Sequence, residues 1–259
     1  MTTDSKKEEK RVGQFIKNVL TKTNAAGVVV AVSGGIDSAT VVALTVKAIG
    51  RDKTHALVLP CGELSSVASD RASTFIEKLG LPGDNVHTID IAPIVYAAAD
   101  ALNLGDEDTL RRGNIMARTR MIAVYDYAKT KNLLVGGTEN KSEYLLGYFT
   151  RFGDEASDFE PIRHLYKSQL YELAQFLGVS DEIVAATPTA DLWSGQTDEK
   201  ELGFSYKDAD LVLEQYYDEL RSLSDIEKEH PGAEKIIAYS KKNLFKHEVP
   251  YLPDFMIDD

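Results

Sequence analysis

A chain of 259 residues with 43% hydrophobic residues is long enough to bury a sizeable core, and one domain spanning residues 1–259 is expected. The formal net charge of −12 argues against a nucleic-acid partner, and the single cysteine, Cys61, excludes an internal disulfide framework or a cysteine-cluster metal centre. The N-terminus is polar, with no apolar signal core, and no apolar run approaches membrane-spanning length, so a cytoplasmic protein with no membrane partner is expected.

Residues 1–9 lack apolar periodicity and are expected to be frayed. Val12, Phe15, Ile16, Val19 and Leu20 recur at helical spacing and predict an amphipathic helix over 10–23. The β-branched run 28–32 predicts a first strand, followed by a buried helix through Ala39, Val41, Val42 and Leu44. A second strand is expected over 54–60, stopped by Pro60 and Gly62, then a helix over 70–79 ended by Gly80. A third strand over 86–90 precedes a helix over 91–102. A long helix over 106–130 requires Gly113 to be tolerated inside it or to mark a break. Residues 132–135 predict a fourth strand, ending at Gly136 and Gly137. Beyond residue 160 the pattern is mainly helical, with helices over 165–177, 181–186, 206–223 and 234–245. The stretch 187–204 is rich in turn residues and is a candidate mobile loop.

Strands alternating with helices define an α/β fold: a doubly wound, mostly parallel sheet flanked by helices, with a mainly helical C-terminal part. Ligands of such sheets sit beyond the carboxyl ends of the strands. Two glycine-marked strand ends fall there, at Ser33-Gly34-Gly35-Ile36-Asp37-Ser38 and at Gly136-Gly137-Thr138. In the first, glycines allow close backbone approach, the following helix start adds unpaired N–H groups, and two serines add hydroxyls, which together suit phosphate or pyrophosphate. Asp37 is out of place beside an anion unless a cation is present, which implies Mg²⁺. An ordinary strand-to-helix turn capped by Asp37 or Ser38 is the plainer alternative. The segment 111–167 holds ten Lys or Arg against seven Asp or Glu, a local basic excess that suits a small bound polyanion.

The Ser-Gly-Gly-x-Asp-Ser turn resembles the pyrophosphate loop of the ATP pyrophosphatase superfamily, whose members split ATP to AMP and pyrophosphate. Four further stretches narrow the resemblance: Gly113-Asn114-Ile115-Met116-Ala117-Arg118-Thr119-Arg120-Met121, Gly137-Thr138-Glu139-Asn140-Lys141-Ser142-Glu143, Gly147-Tyr148-Phe149-Thr150-Arg151-Phe152-Gly153-Asp154, and Pro188-Thr189-Ala190-Asp191-Leu192 with Gln196-Thr197-Asp198-Glu199 and Leu202-Gly203. In this order and spacing they resemble the ammonia-dependent NAD synthetases over nearly the whole chain. That family joins ammonia to deamido-NAD (nicotinic acid adenine dinucleotide), with ATP as co-substrate and Mg²⁺ as cofactor, through an adenylate.

The resemblance implies residue roles. Ser33, Gly34, Gly35 and Ser38 align with the phosphate loop, and Asp37 and Glu143 with the Mg²⁺ ligands. Thr138, Lys167 and Thr189 align with ATP-site residues; Asp37 belongs to that site too, and Lys167 is a catalytic candidate as a point charge against triphosphate. Arg118, Arg151, Asp158 and Lys246 fall where the family contacts deamido-NAD. Asp154, the other catalytic candidate, falls where ammonium is bound or deprotonated; a structural Gly-Asp turn is the competing reading.

The sequence also departs from the family's pattern. Val58 stands where many members carry an Arg on the adenine side, Arg151 where many carry Lys, and Phe245 before Lys246 where many carry His. The resemblance further implies a homodimer with the helix bearing Arg118 at its interface. Without a second domain or another thiol, free ammonia is the expected donor. Two alternatives remain: a different amidating synthetase of the same superfamily, resembling GMP synthetase, and a non-catalytic adenine-nucleotide sensor.

Overall fold

The computed structural model describes residues 3–193, 195–248 and 250–251. Four strands, β1 (Gly27–Ala31), β2 (Thr54–Val58), β3 (Val86–Thr88) and β4 (Leu133–Val135), form one parallel sheet in the order β3-β2-β1-β4. The register pairs Val28 with Thr54 and with Leu134, and Leu57 with His87. The chain lays down β1, β2 and β3 in one direction, then returns to place β4 on the other side of β1. The crevice between the ends of β1 and β4 is therefore the switch point, where open parallel sheets bind ligands.

Alternation along the strands divides the core. Val28, Val30, Val32, Ala56 and Val58 face one way, against α1 (Ser5–Thr23), α2 (Ile36–Ile49), α3 (Ser66–Leu79) and α7 (Lys167–Leu177). Val29, Leu57, Leu59, Leu133 and Val135 face the other way, against α4 (Ala92–Ala101) and α5 (Thr109–Lys131). Burying each such valine stabilises the fold by about 1.5–3 kcal/mol. The sheet is thus covered on both faces, as the near-continuous apolar run of β1 requires.

The remaining helices are α6 (Lys141–Leu146), α8 (Asp181–Val184), α9 (Asp198–Leu202), α10 (Tyr206–Leu213), α11 (Leu223–Glu229) and α12 (Ala233–Asn243). All of these except α8 contribute to a separate helical core of Leu146, Leu202, Leu213, Ile226 and Ile237. No helix among the described residues is long and apolar enough to cross a membrane.

Several boundaries differ from those expected. The first helix starts at Ser5, where Asp4 accepts a hydrogen bond from the Lys7 N–H, so residues 5–9 are helical rather than frayed; Met1 and Thr2 lie outside the described residues. Gly113 is tolerated inside α5. The single helix expected over 206–223 is instead α10, a π-helical turn over Glu214–Asp218, a break, and then α11. The stretch 187–204 includes α9, with Ser194 outside the described residues.

Candidate active site

The turn after β1 is built to hold its amides open. The Ser33 N–H donates to Ser38 Oγ at 3.1 Å, and Ser38 Oγ donates to the Gly35 carbonyl at 3.2 Å. Gly35 caps α2 without a side chain, which leaves the first-turn N–H groups free for an anion. Gly34 is required: its φ is +83°, and a Cβ there would lie 2.1 Å from the Ala68 carbonyl oxygen of α3.

Across the crevice, the chain leaving β4 starts α6 with a capping box. Asn140 accepts from the Glu143 N–H, and Glu143 accepts from the Asn140 N–H. The cap aims Asn140 Nδ2 at Asp37 Oδ1, at 2.7 Å. Lys167, the first residue of α7, brings Nζ to 2.6 Å from Asp37 Oδ2 and 3.1 Å from Glu143 Oε1. Its side chain is only 3% exposed. Burial alone would lower the ammonium's pKa, but the Asp37 and Glu143 carboxylates more than reverse this and raise it. Burial pushes Glu143 up, Asp37 repulsion adds to that, and Lys167 opposes both. Three residues far apart in sequence therefore meet at the mouth of the switch point.

Asp37 and Glu143 fit Mg²⁺, which takes one or two protein carboxylates and completes its shell with water and substrate phosphates. Among the described residues no group of three or more His, Cys, Asp or Glu is placed to hold a metal ion.

The trio opens into a cavity of about 660 Å³. Ser33, Gly35, Asp37, Ser38, Thr138, Glu143, Lys167 and Thr189 line it, together with Arg118, Arg151, Asp154 and Lys246. Gly34 does not line it, because it packs on Ala68. Asp158 is not brought into this cavity either. Its Oδ2 accepts from the Val135 N–H at 2.7 Å, which ties it to the edge of β4.

Asp154 combines both of its readings. Oδ1 accepts from the Thr150 N–H at 3.0 Å, closing the turn, while the side chain remains accessible to the cavity. Surrounding protein raises its carboxyl above the usual range by desolvation, against the pull of the Thr150 N–H. Lys246 Nζ donates to the carbonyls of Gly147 and Phe149 at 2.6 and 2.9 Å, bracing the loop that carries Arg151.

The departures also acquire positions. Val58 is 2% exposed in the sheet core and lines the cavity as an apolar wall. Arg151 lies over the rings of Phe152 at 5.3 Å and Phe245 at 5.8 Å, so two of the unusual residues touch. His247 stacks on Tyr144, with centroids 4.1 Å apart, and bonds to the Tyr144 carbonyl.

Sequence reasoning missed four cavity residues. Arg71 has no motif around it and enters only through the packing of α3 on the glycine turn. Arg120 lies inside a quoted motif two residues from Arg118, yet α5 exposes Arg118 and turns Arg120 inward, where Nε donates to the Leu59 carbonyl at 3.1 Å. Tyr148 and Asp198 form a network under the 187–204 stretch: Tyr148 Oη donates to Glu201 Oε2 at 2.7 Å and reaches Asp198 Oδ1 at 3.3 Å, and Tyr206 Oη donates to Asp198 Oδ2 at 3.1 Å.

A parallel sheet whose switch point holds an open glycine turn, a carboxylate pair and a buried lysine has the architecture of an ATP pyrophosphatase. Residues 8–250 match the family model described as NAD synthase, and the chain belongs to that family. The NH(3)-dependent NAD(+) synthetase of Thermococcus sibiricus is 40% identical over 93% of this chain and 94% of its own length. The solved NH3-dependent NAD synthetase from Campylobacter jejuni, in complex with the nitrate ion, superposes with a TM-score of 0.81 at 31% identity, covering 97% of this chain and 100% of that one. The NMN synthetase from Francisella tularensis superposes with a TM-score of 0.85 at 32% identity, covering 98% and 100%.

Proposed function

We propose that the chain catalyses the last step of NAD biosynthesis, the ATP-dependent amidation of deamido-NAD by ammonia, giving NAD, AMP and pyrophosphate. The convergence of Asp37, Glu143 and Lys167 beside the open turn amides carries this reading. A carboxylate is a poor electrophile, so it must first become an anhydride. The nicotinate carboxylate attacks the α-phosphorus of ATP, the bond to the β-phosphate oxygen breaks, and pyrophosphate leaves. The amides after β1 and the Lys167 ammonium stabilise the charge on that leaving group. Mg²⁺ held by Asp37 and Glu143 would neutralise phosphate charge there.

Ammonia then attacks the carbonyl carbon of the adenylate, its nitrogen gives up one proton to solvent, and AMP departs with the C–O bond electrons. Asp154 is the base that takes a proton from ammonium, and Arg118, Arg151 and Lys246, which line the cavity, hold the deamido-NAD end, while Asp158 braces β4 outside it. Cys61 is 4% exposed and burial pushes its thiol pKa up, so it is no glutaminase nucleophile, and free ammonia is the donor. The active form is a cytoplasmic homodimer.

The test is NAD formation from deamido-NAD, ATP, Mg²⁺ and ammonium, with AMP and pyrophosphate followed alongside. Equal amounts of all three products are expected. The likeness to an NMN synthetase makes the corresponding mononucleotide the competing acceptor to assay. Faster turnover of that acceptor would replace the substrate while keeping the chemistry, and nucleotide binding without AMP release would leave only a sensor.

A further inference from the structure

The charge inventory around the glycine turn does not balance for ATP. Lys167 is already engaged by Asp37 and Glu143, at 2.6 and 3.1 Å, and Asp198 lies buried beside Tyr206 on the same side of the cavity. Without substrate, three carboxylates thus face one ammonium. One Mg²⁺ would cancel that excess of two and leave no net positive charge for a triphosphate carrying close to four negative charges. A second fixed cation is required within reach of the turn.

Arg71 meets the requirement. It lies on α3 three residues after Ala68, whose carbonyl presses on Gly34, so it shares the helix face packed against the turn. It lines the cavity, and its Nε is buried with no hydrogen-bond partner. Among the described residues it forms no ion pair. A buried, unpartnered donor on a cation is costly unless a ligand satisfies it. Asp191, two residues from Thr189, lines the same cavity; burial raises its carboxyl, and the charges of Arg120 and Arg71 oppose that rise.

We propose that Arg71 is a binding residue for the phosphate chain of ATP. Its planar fork can take two phosphate oxygens at once, which the Lys167 point charge cannot. The inference rests on ATP occupying the turn after β1, as in the proposed function, and direct binding separates the two.

The experiment measures ATP and pyrophosphate binding by calorimetry with Mg²⁺, together with steady-state kinetics, for the wild-type chain, Arg71→Ala and Arg71→Lys. Loss of a charge-assisted bidentate contact is expected to weaken ATP and pyrophosphate about tenfold or more in Arg71→Ala. The Lys variant should recover part of that loss, with the KM for deamido-NAD unchanged. Binding of both ligands within twofold of wild type in a folded Arg71→Ala chain would overturn the assignment, as would a rise confined to the KM for deamido-NAD. A wild-type chain that binds ATP but makes no NAD would overturn the proposed reaction and leave Arg71 testable by binding alone.

Discussion

At the scale of single residues, the site depends on a carboxylate whose removal should separate chemistry from folding. Asp37→Asn keeps the shape and preserves an oxygen for the Asn140 amide. Lys167 would still hold Glu143 at 3.1 Å, so its charge is not orphaned. Stability should fall by no more than about 1–2 kcal/mol, while turnover at saturating Mg²⁺ falls by about 100-fold or more. Thermal unfolding beside a Mg²⁺ titration of activity checks this; a matching loss of folded protein would make Asp37 structural.

A second test concerns the buried carboxylates behind Thr138. Burial, with repulsion from Glu160, pushes Glu139 up to about 9 despite Arg163 at 2.7 Å; burial pushes Glu160 up to about 7. Both folded pKa values lie above the unfolded value of about 4.3, so the folded state binds more protons. Their contribution is complete below that value and is lost as pH rises through 7 and then 9. The melting temperature should therefore drop between pH 6 and 9, and less steeply in Glu139→Gln. Parallel slopes for the two proteins would remove this pair as the cause.

At the scale of elements, legibility followed locality. The strands were readable because β-branched runs bounded by glycine and proline carry their own signal, and Ser33–Ser38 was readable because an amide nest needs glycine at fixed spacing. The start of α1 was hidden, since Ser5 to Arg11 is a solvated charged turn whose cap, Asp4, precedes any apolar period. The end of α10 was hidden for a different reason. Asp218 is held by Lys141 Nζ at 2.6 Å and Tyr166 Oη at 2.9 Å, contacts of long sequence separation that set where the chain breaks.

Gly113 joins α5 to the 187–204 stretch. A Cβ there would lie 3.0 Å from Leu192 Cδ1 and 3.1 Å from its Cβ. Gly113→Ala should gain up to about 1 kcal/mol of helix propensity and yet displace Leu192. Because Thr189 lies three residues before Leu192, the KM for ATP should rise while the melting temperature holds or increases. An unchanged KM would show that Leu192 yields without moving its neighbours.

At the scale of the whole molecule, α4 and α5 pack together and expose large apolar side chains that the monomer leaves uncovered. Ile94 is 50% exposed, Tyr96 52%, Leu110 64% and Ile122 55%. Sequence periodicity could not separate core from interface along α5, because its apolar residues occupy more than one face. In the structure Met116 and Val124 point into the sheet core, while Ile122 is exposed. Arg118 lies on the same helix, one turn before Ile122, and is exposed. A second copy seated on Ile122 would also close around Arg118, which lines the cavity and is the residue proposed to hold deamido-NAD. Replacing Ile122 with Lys should therefore give a monomer by sedimentation at micromolar concentration, with the KM for deamido-NAD raised and ATP binding retained, since Ile122 does not line the cavity that holds the turn after β1. A dimer that persists with normal kinetics would place the interface elsewhere, and a monomer with wild-type kinetics would make the active site complete within one chain.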